Sequence, residues 1–198
     1  LVAPVAQVPS GLLARAVVPA GGTCPVLRVK KGSGGSTAWF KVPMSERRPP
    51  DTTYPAFSAV RVCEAAIPRH SLAARVLGRD IPAHMPSRIR RLAVLGDTGC
   101  RVGQQDCSNP DRWPLARTAE RIAEGKPHVV LFLGDFFYRE KPCPAEQWQW
   151  CGSTPEPIEG PAPDFFKFSD TDYSWLADVF IPMRPLLAAA PLVVVRGN

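Results

Sequence analysis

The chain has 198 residues, 45% hydrophobic and 21% charged, with 24 Lys and Arg against 18 Asp and Glu for a net charge of +6. That is enough apolar matter for a core, and the 38 Pro and Gly residues stay below the roughly 25–30% of a low-complexity chain, which excludes collagen and wholesale disorder. The longest apolar run near the end, Leu186 to Val195, covers 10 residues and contains Pro191, against the roughly 18–20 needed to span a bilayer, so no transmembrane helix and no membrane partner are expected.

Length predicts one domain, or one with a smaller companion. Charge divides the chain: residues 1–91 carry 14 basic and 4 acidic side chains, and residues 92–198 carry 10 and 14. At the start, Leu1 to Leu13 is apolar but holds Pro4 and Pro9, and reads as the remnant of an export signal or as a fragment edge. Short β-type runs follow at Val26–Val29, Ala38–Val42 and Phe57–Cys63, separated by glycines and by Pro49 and Pro50, which predicts a small antiparallel unit over residues 1–87. Its basic groups Arg28, Lys30, Lys31 and, later, Arg88, Arg90, Arg91 lack interleaved aromatics and read as a solvated face, so nucleic acid is not expected except as a substrate. An acidic substrate such as a phosphate ester is compatible with that charge. Ile81–Ser87, with Pro82 and Pro86, reads as a linker into a second unit, residues 88–198.

In that unit three apolar runs each end in Gly followed by Asp or Asn. They are Arg91–Leu95 before Gly96-Asp97, Val129–Leu133 before Gly134-Asp135, and Leu192–Arg196 before Gly197-Asn198, and they read as buried parallel strands. Between the first two, Leu115, Ala119, Ile122 and Ala123 fall at helical spacing. Asp111 is a candidate cap, Pro114 lies in the first turn, and Gly125 and Pro127 form the stop, completing a βαβ unit. Before the third run, Leu176, Val179, Phe180, Met183 and Leu187 trace a helical stripe from about Thr171 that Pro182 and Pro185 must kink or split. The proline-rich stretch Arg139–Ser169, with Trp148 and Trp150, reads as an ordered loop near the site; Trp175, Phe136 and Phe137 read as packing residues.

Six cysteines without a CxxC pair fit an oxidising compartment, hence a secreted or periplasmic protein. Spacing favours Cys100 with Cys107, Cys143 with Cys151, and Cys24 with Cys63 as the remaining pair.

In parallel sheets ligands bind beyond the carboxyl ends of the strands, where a preceding glycine lets the chain turn sharply. Asp97, Asp135 and Asn198 are therefore expected at one edge, joined by Tyr138 three residues after Asp135. Two carboxylates, an amide oxygen and a phenol are hard donors suited to Fe(III), Mn or, with imidazoles added, Zn. A cation between two converging carboxylates also relieves their repulsion. Arg101 and Arg139 follow the two blocks and are candidate substrate-phosphate contacts; His70, His84 and His128 read as ordinary surface or packing residues.

The ordered blocks GDTG, GDFFY and GN resemble the calcineurin-like metallophosphoesterases. The tyrosine of the second block, with GDTGCR at Gly96–Arg101 and the run Pro185–Pro191 before RGN, resembles exported bacterial members of the purple-acid-phosphatase branch. The resemblance covers residues 88–198, with a looser match from Cys24 through Ala65. It implies an α/β fold: part of a metallophosphoesterase α/β sandwich with parallel strands, preceded by a small β-rich N-terminal region. It also implies a phosphatase or phosphodiesterase with two divalent or trivalent metal ions, Fe with Zn, Mn or Fe, acting on a phosphate ester. Asp97 would bind the first metal, Asp135 would bridge both, Tyr138 would bind the first as phenolate, and Asn198 would bind the second. A metal-bound hydroxide would attack phosphorus in line. The family places its general-acid His just after this Asn, so the sequence is expected to be an amino-terminal piece, inactive alone. A metal-dependent nuclease, or a secreted binding module without chemistry, is the alternative.

Overall fold

The computed structural model describes residues 2–8, 11–47, 60–102, 104–107, 109–138, 175–195 and 197. The fold is mixed α/β, with two antiparallel sheets in the first part and one parallel sheet in the second. Among the described residues eight strands make the β-rich part: β1 (Val2–Val8), β2 (Gly11–Pro19), β3 (Val26–Ser33), β4 (Ser36–Pro43), β5 (Ser45–Glu46), β6 (Val60–Ile67), β7 (Ala73–Val76) and β8 (Arg79–Ile81). Their sheets run β1-β2-β6-β5 and β4-β3-β7-β8, all pairs antiparallel.

Period-two burial explains how the two sheets share one core. Along β2 the side chains of Leu12, Ala14, Ala16 and Val18 turn inward; Leu27 and Val29 of β3 and Ala74 and Val76 of β7 meet them. The Cys24–Cys63 disulfide, with Cα atoms 5.5 Å apart, ties the start of β3 to β6 in the other sheet. The opening segment is strand. Its pattern is blurred in sequence because the outward residues of β2 include Leu13 and Val17, and Pro4 is tolerated because β1 is an edge strand. The third expected run begins at Val60; Phe57 lies outside the described residues.

The parallel sheet follows: β9 (Leu92–Leu95), β10 (Val129–Phe132) and β11 (Leu192–Val194), in the order β11-β10-β9. Helix α1 (Leu115–Glu124) crosses from β9 to β10, as the apolar spacing predicts. Its N-terminus departs from expectation: Pro114 holds the cap position with no side-chain bond, while Asp111 pairs with Arg117. The second stripe is split, as its prolines require. A π-helical turn at Leu176–Phe180 is followed by α2 (Arg184–Ala189). Both helices cover the same face of the sheet, where Leu115, Ala119, Leu186 and Leu187 pack on Val130, Phe132 and Leu192.

The other face corrects the expectation of fully buried strands, because Leu92 is 55% and Val94 is 51% exposed. The apolar runs therefore record the chemistry of both faces, although among the described residues helices cover one of them. Among the described residues no helix is long and apolar enough to cross a membrane.

Candidate functional site

Parallel register decides where the strand-end residues go. Leu95 pairs with Phe132, and Phe132 with Val194, so all three strands end level. The ladder extends one step further: Leu133 N–H donates to the Leu95 carbonyl (2.7 Å), Val195 N–H to the Phe132 carbonyl (2.8 Å), and Asp97 N–H to the Gly134 carbonyl (3.2 Å). The chain then turns sharply in each strand. Asp97 (φ 56°) and Asp135 (φ 54°) both adopt the left-handed conformation. That conformation is costly for most L-residues and is tolerated by Asp through local hydrogen bonding; strain of this kind gathers at functional sites.

Two glycines let the strand-end loops touch. A Cβ on Gly99 would lie 2.6 Å from the Phe136 carbonyl oxygen and 2.8 Å from Phe137 Cα, so the loop after Asp97 rests directly on the backbone after Asp135. Gly197, at φ 87°, brings the end of β11 onto Asp135, where a Cβ would lie 2.6 Å from its amide nitrogen. Neither close approach is visible in the spacing of the apolar runs.

The loop after Asp97 is held from two sides. Trp113 Nε1–H donates to the Thr98 carbonyl (2.8 Å), and the Cys100–Cys107 disulfide packs with Val102 and Trp113 in a small apolar cluster. Below the loop after Asp135, Phe136 stacks on Phe132 with ring centroids 4.4 Å apart, and Trp175 packs on Phe136, Phe137 and Phe180. The packing roles expected of Phe136, Phe137 and Trp175 match these contacts.

The outcome is a meeting of three oxygen donors. The Tyr138 hydroxyl hydrogen-bonds to the Asp97 carboxylate, and that bond, then burial, then the negative charges of Asp135 and Asp97 hold its proton, pushing the phenol up to about 12. Asp97 is exposed and Asp135 half-buried. Over the ring of Tyr138 lies Arg101, its Cζ 4.6 Å from the centroid. Asn198 and Arg139 lie outside the described residues, as do Cys143, Cys151, Trp148 and Trp150.

His128 stands at the far end of β10, where its Nδ1 accepts the Arg90 N–H (3.1 Å) and its own N–H donates to the Arg91 carbonyl (2.8 Å). That is a packing role. Among the described residues no group of three or more His, Cys, Asp and Glu side chains gathers to hold a metal; beside Asp97 and Asp135 stands the Tyr138 phenol.

The proton on Tyr138 yields a direct test. An unfolded tyrosine ionises near 10, whereas Tyr138 in the folded chain ionises near 12, so folding takes up a proton between those values. Stability from this source is complete below pH about 10 and is lost as pH rises through about 12. Spectrophotometric titration of the metal-free chain, with the Tyr138→Phe signal subtracted, is expected to show this high ionisation. Asp97→Ala is expected to bring it back toward the ordinary value. A Tyr138 that titrates normally in the intact chain would contradict the contact.

No family model matches the chain, and no curated protein matches it. Among solved structures, that of PhoD aligns with a TM-score of 0.46 at 13% identity, covering all of this chain and 38% of that one. The chain thus spans well under half the length of that neighbour.

Proposed function

We propose that the chain carries the first metal-binding blocks of a metal-dependent phosphoric ester hydrolase of the calcineurin-like kind, residues 1–87 forming a β-rich companion to a catalytic part that starts at residue 88. The observation that carries this reading is the contact of Tyr138 with Asp97 and Asp135 at the ends of two parallel strands. The disulfides Cys24–Cys63 and Cys100–Cys107 support export to an oxidising compartment.

The donor set fits a hard cation. Two carboxylates and a phenol offer only oxygen, and Asp97 and Asp135 are presented by turns in the left-handed conformation. Asp97 and Tyr138 would hold one metal ion, and Asp135, between the loops, would be shared with a second. Bound there, the ions supply Lewis acidity toward a phosphoryl oxygen and neutralise charge that builds up during displacement at phosphorus.

The chain's own residues perform the rest. Gly99 and Gly197 set the separation of the strand-end loops, and the Cys100–Cys107 disulfide and Trp113 keep Asp97 in place. Arg101, held over the Tyr138 ring, presents its guanidinium to a phosphate monoester or diester. Tyr138 must surrender its proton when it ligates, so metal uptake should release protons and tighten as pH rises.

Titration with Fe(III) tests the reading, because a ferric phenolate absorbs visible light. The intact chain is expected to become coloured with release of protons, and Tyr138→Phe to bind iron without colour. Arg101→Ala should keep the colour while weakening the spectral shift caused by added inorganic phosphate. An iron-treated chain that stays colourless, or a colour that survives Tyr138→Phe, would overturn the ligand assignment.

A further inference from the structure

In sequence, Arg28, Lys30 and Lys31 look like a solvated run without aromatic company. Strand pairing changes this. Across β4, β3, β7 and β8, Lys41 pairs with Arg28, Arg28 with Arg75, and Arg75 with Asp80, placing three cations in register on one face before a single carboxylate ends the row. Adjacent strands are about 5 Å apart, and like charges directly opposite one another destabilise a sheet. In the next row Lys30 pairs with Trp39. The four strands together hold six Lys and Arg and one acidic residue.

Asp80 answers only Arg75, through a 2.8 Å ion pair. The ring of Trp39 gathers the guanidinium groups of Arg28 and Arg75, their Cζ atoms 5.7 Å and 5.2 Å from its centroid. Trp39 itself is 37% exposed; Phe40, on the opposite side of the same edge strand, is 50% exposed, and Leu72, beside Gly32, is 56% exposed.

We propose that this face is a peripheral docking surface for an anionic phospholipid bilayer. Two properties select that occupant over a nucleic-acid strand. Base stacking needs a free aromatic face, and the guanidiniums already occupy the neighbourhood of the only tryptophan in these strands. Exposed apolar side chains on both sides of one edge strand suit a fluid interface that closes around that edge, whereas a phosphate backbone has no use for them. The cations meet the headgroup phosphates, and Trp39 lies at the level where indoles prefer to sit. Such a contact lies on the bilayer and requires no spanning segment.

Sedimentation of the whole chain with vesicles tests the proposal. Vesicles of phosphatidylcholine with phosphatidylglycerol are expected to bind the chain, pure phosphatidylcholine vesicles to bind it far less, and added salt to release it. Each cation removed should weaken binding by about fivefold, so the triple variant Arg28→Ala, Lys30→Ala, Lys41→Ala should lose about 100-fold. The double variant Lys30→Ala, Lys41→Ala, which leaves both guanidiniums on Trp39, serves if the triple variant folds poorly, and should lose about 25-fold. Equal binding to both vesicle types, binding unchanged in these variants, or a labelled single-stranded oligonucleotide that binds tighter than the anionic vesicles would overturn it.

Discussion

Gly99→Ala is expected to be strongly destabilising. The new Cβ would lie within 3 Å of three backbone atoms of Phe136 and Phe137, none of which can rotate away as a side-chain tip would. Neighbouring contacts block the usual escape. Thr98, on one side, accepts the Trp113 indole hydrogen bond, and Cys100, on the other, is in a disulfide. Overpacking of this kind costs about 1–3 kcal/mol, and the upper end is expected because neither loop is free to move. The variant should unfold at lower temperature, and in whatever remains folded the Tyr138 ionisation should fall, since the loop carrying Asp97 is pushed from the loop carrying the phenol. Gly21→Ala is the control: no atom stands within 4 Å of its added Cβ. Equal thermal stability of the two variants would refute the close apposition of the strand-end loops.

The second large effect concerns the β-rich part. Cys24 and Cys63 are 39 positions apart, and the loop they close corresponds to about 4 kcal/mol of lost unfolded-state freedom; the seven-position loop of Cys100 and Cys107 corresponds to about 2 kcal/mol. Cys63 and Cys100 are both fully buried, so the difference between the bridges rests on loop length. The double variant Cys24→Ala, Cys63→Ala is therefore expected to lower the urea midpoint more than Cys100→Ala, Cys107→Ala. The second pair should instead show its effect at the site, as a weakened Tyr138–Asp97 contact. Reversal of the stability order would show that loop closure does not set the contribution of these bridges.

The sequence by itself determined the parallel strands, the crossover helix and the residues that leave the sheet at its edge. These are local properties: apolar runs of strand length, a 3.6-residue period from Leu115 to Ala123, and glycines placed just before Asp97 and Asp135. Spacing favoured Cys100 with Cys107, and Cys24 with Cys63 as a remaining pair, and both bridges form. Local pattern did not carry how each face of the strands is covered or the detailed approach of distant segments. The opening strands were obscured because Leu13 and Val17 are apolar on the outward side of β2, which erases the alternation that burial later reveals. Helical cover on one face of the parallel sheet and exposure of Leu92 and Val94 on the other are likewise silent in the runs, since apolar residues occur on both faces. The common edge of Asp97, Asp135 and Tyr138 was expected from the strand ends; tertiary structure added the direct approach of the phenol to Asp97 and the placement of Arg101 over its ring, with the level ending of β9 and β10 and the backbone contact at Gly99. The cationic row Lys41–Arg28–Arg75 has the same origin: its members are unremarkable one by one, and strand register alone makes them neighbours.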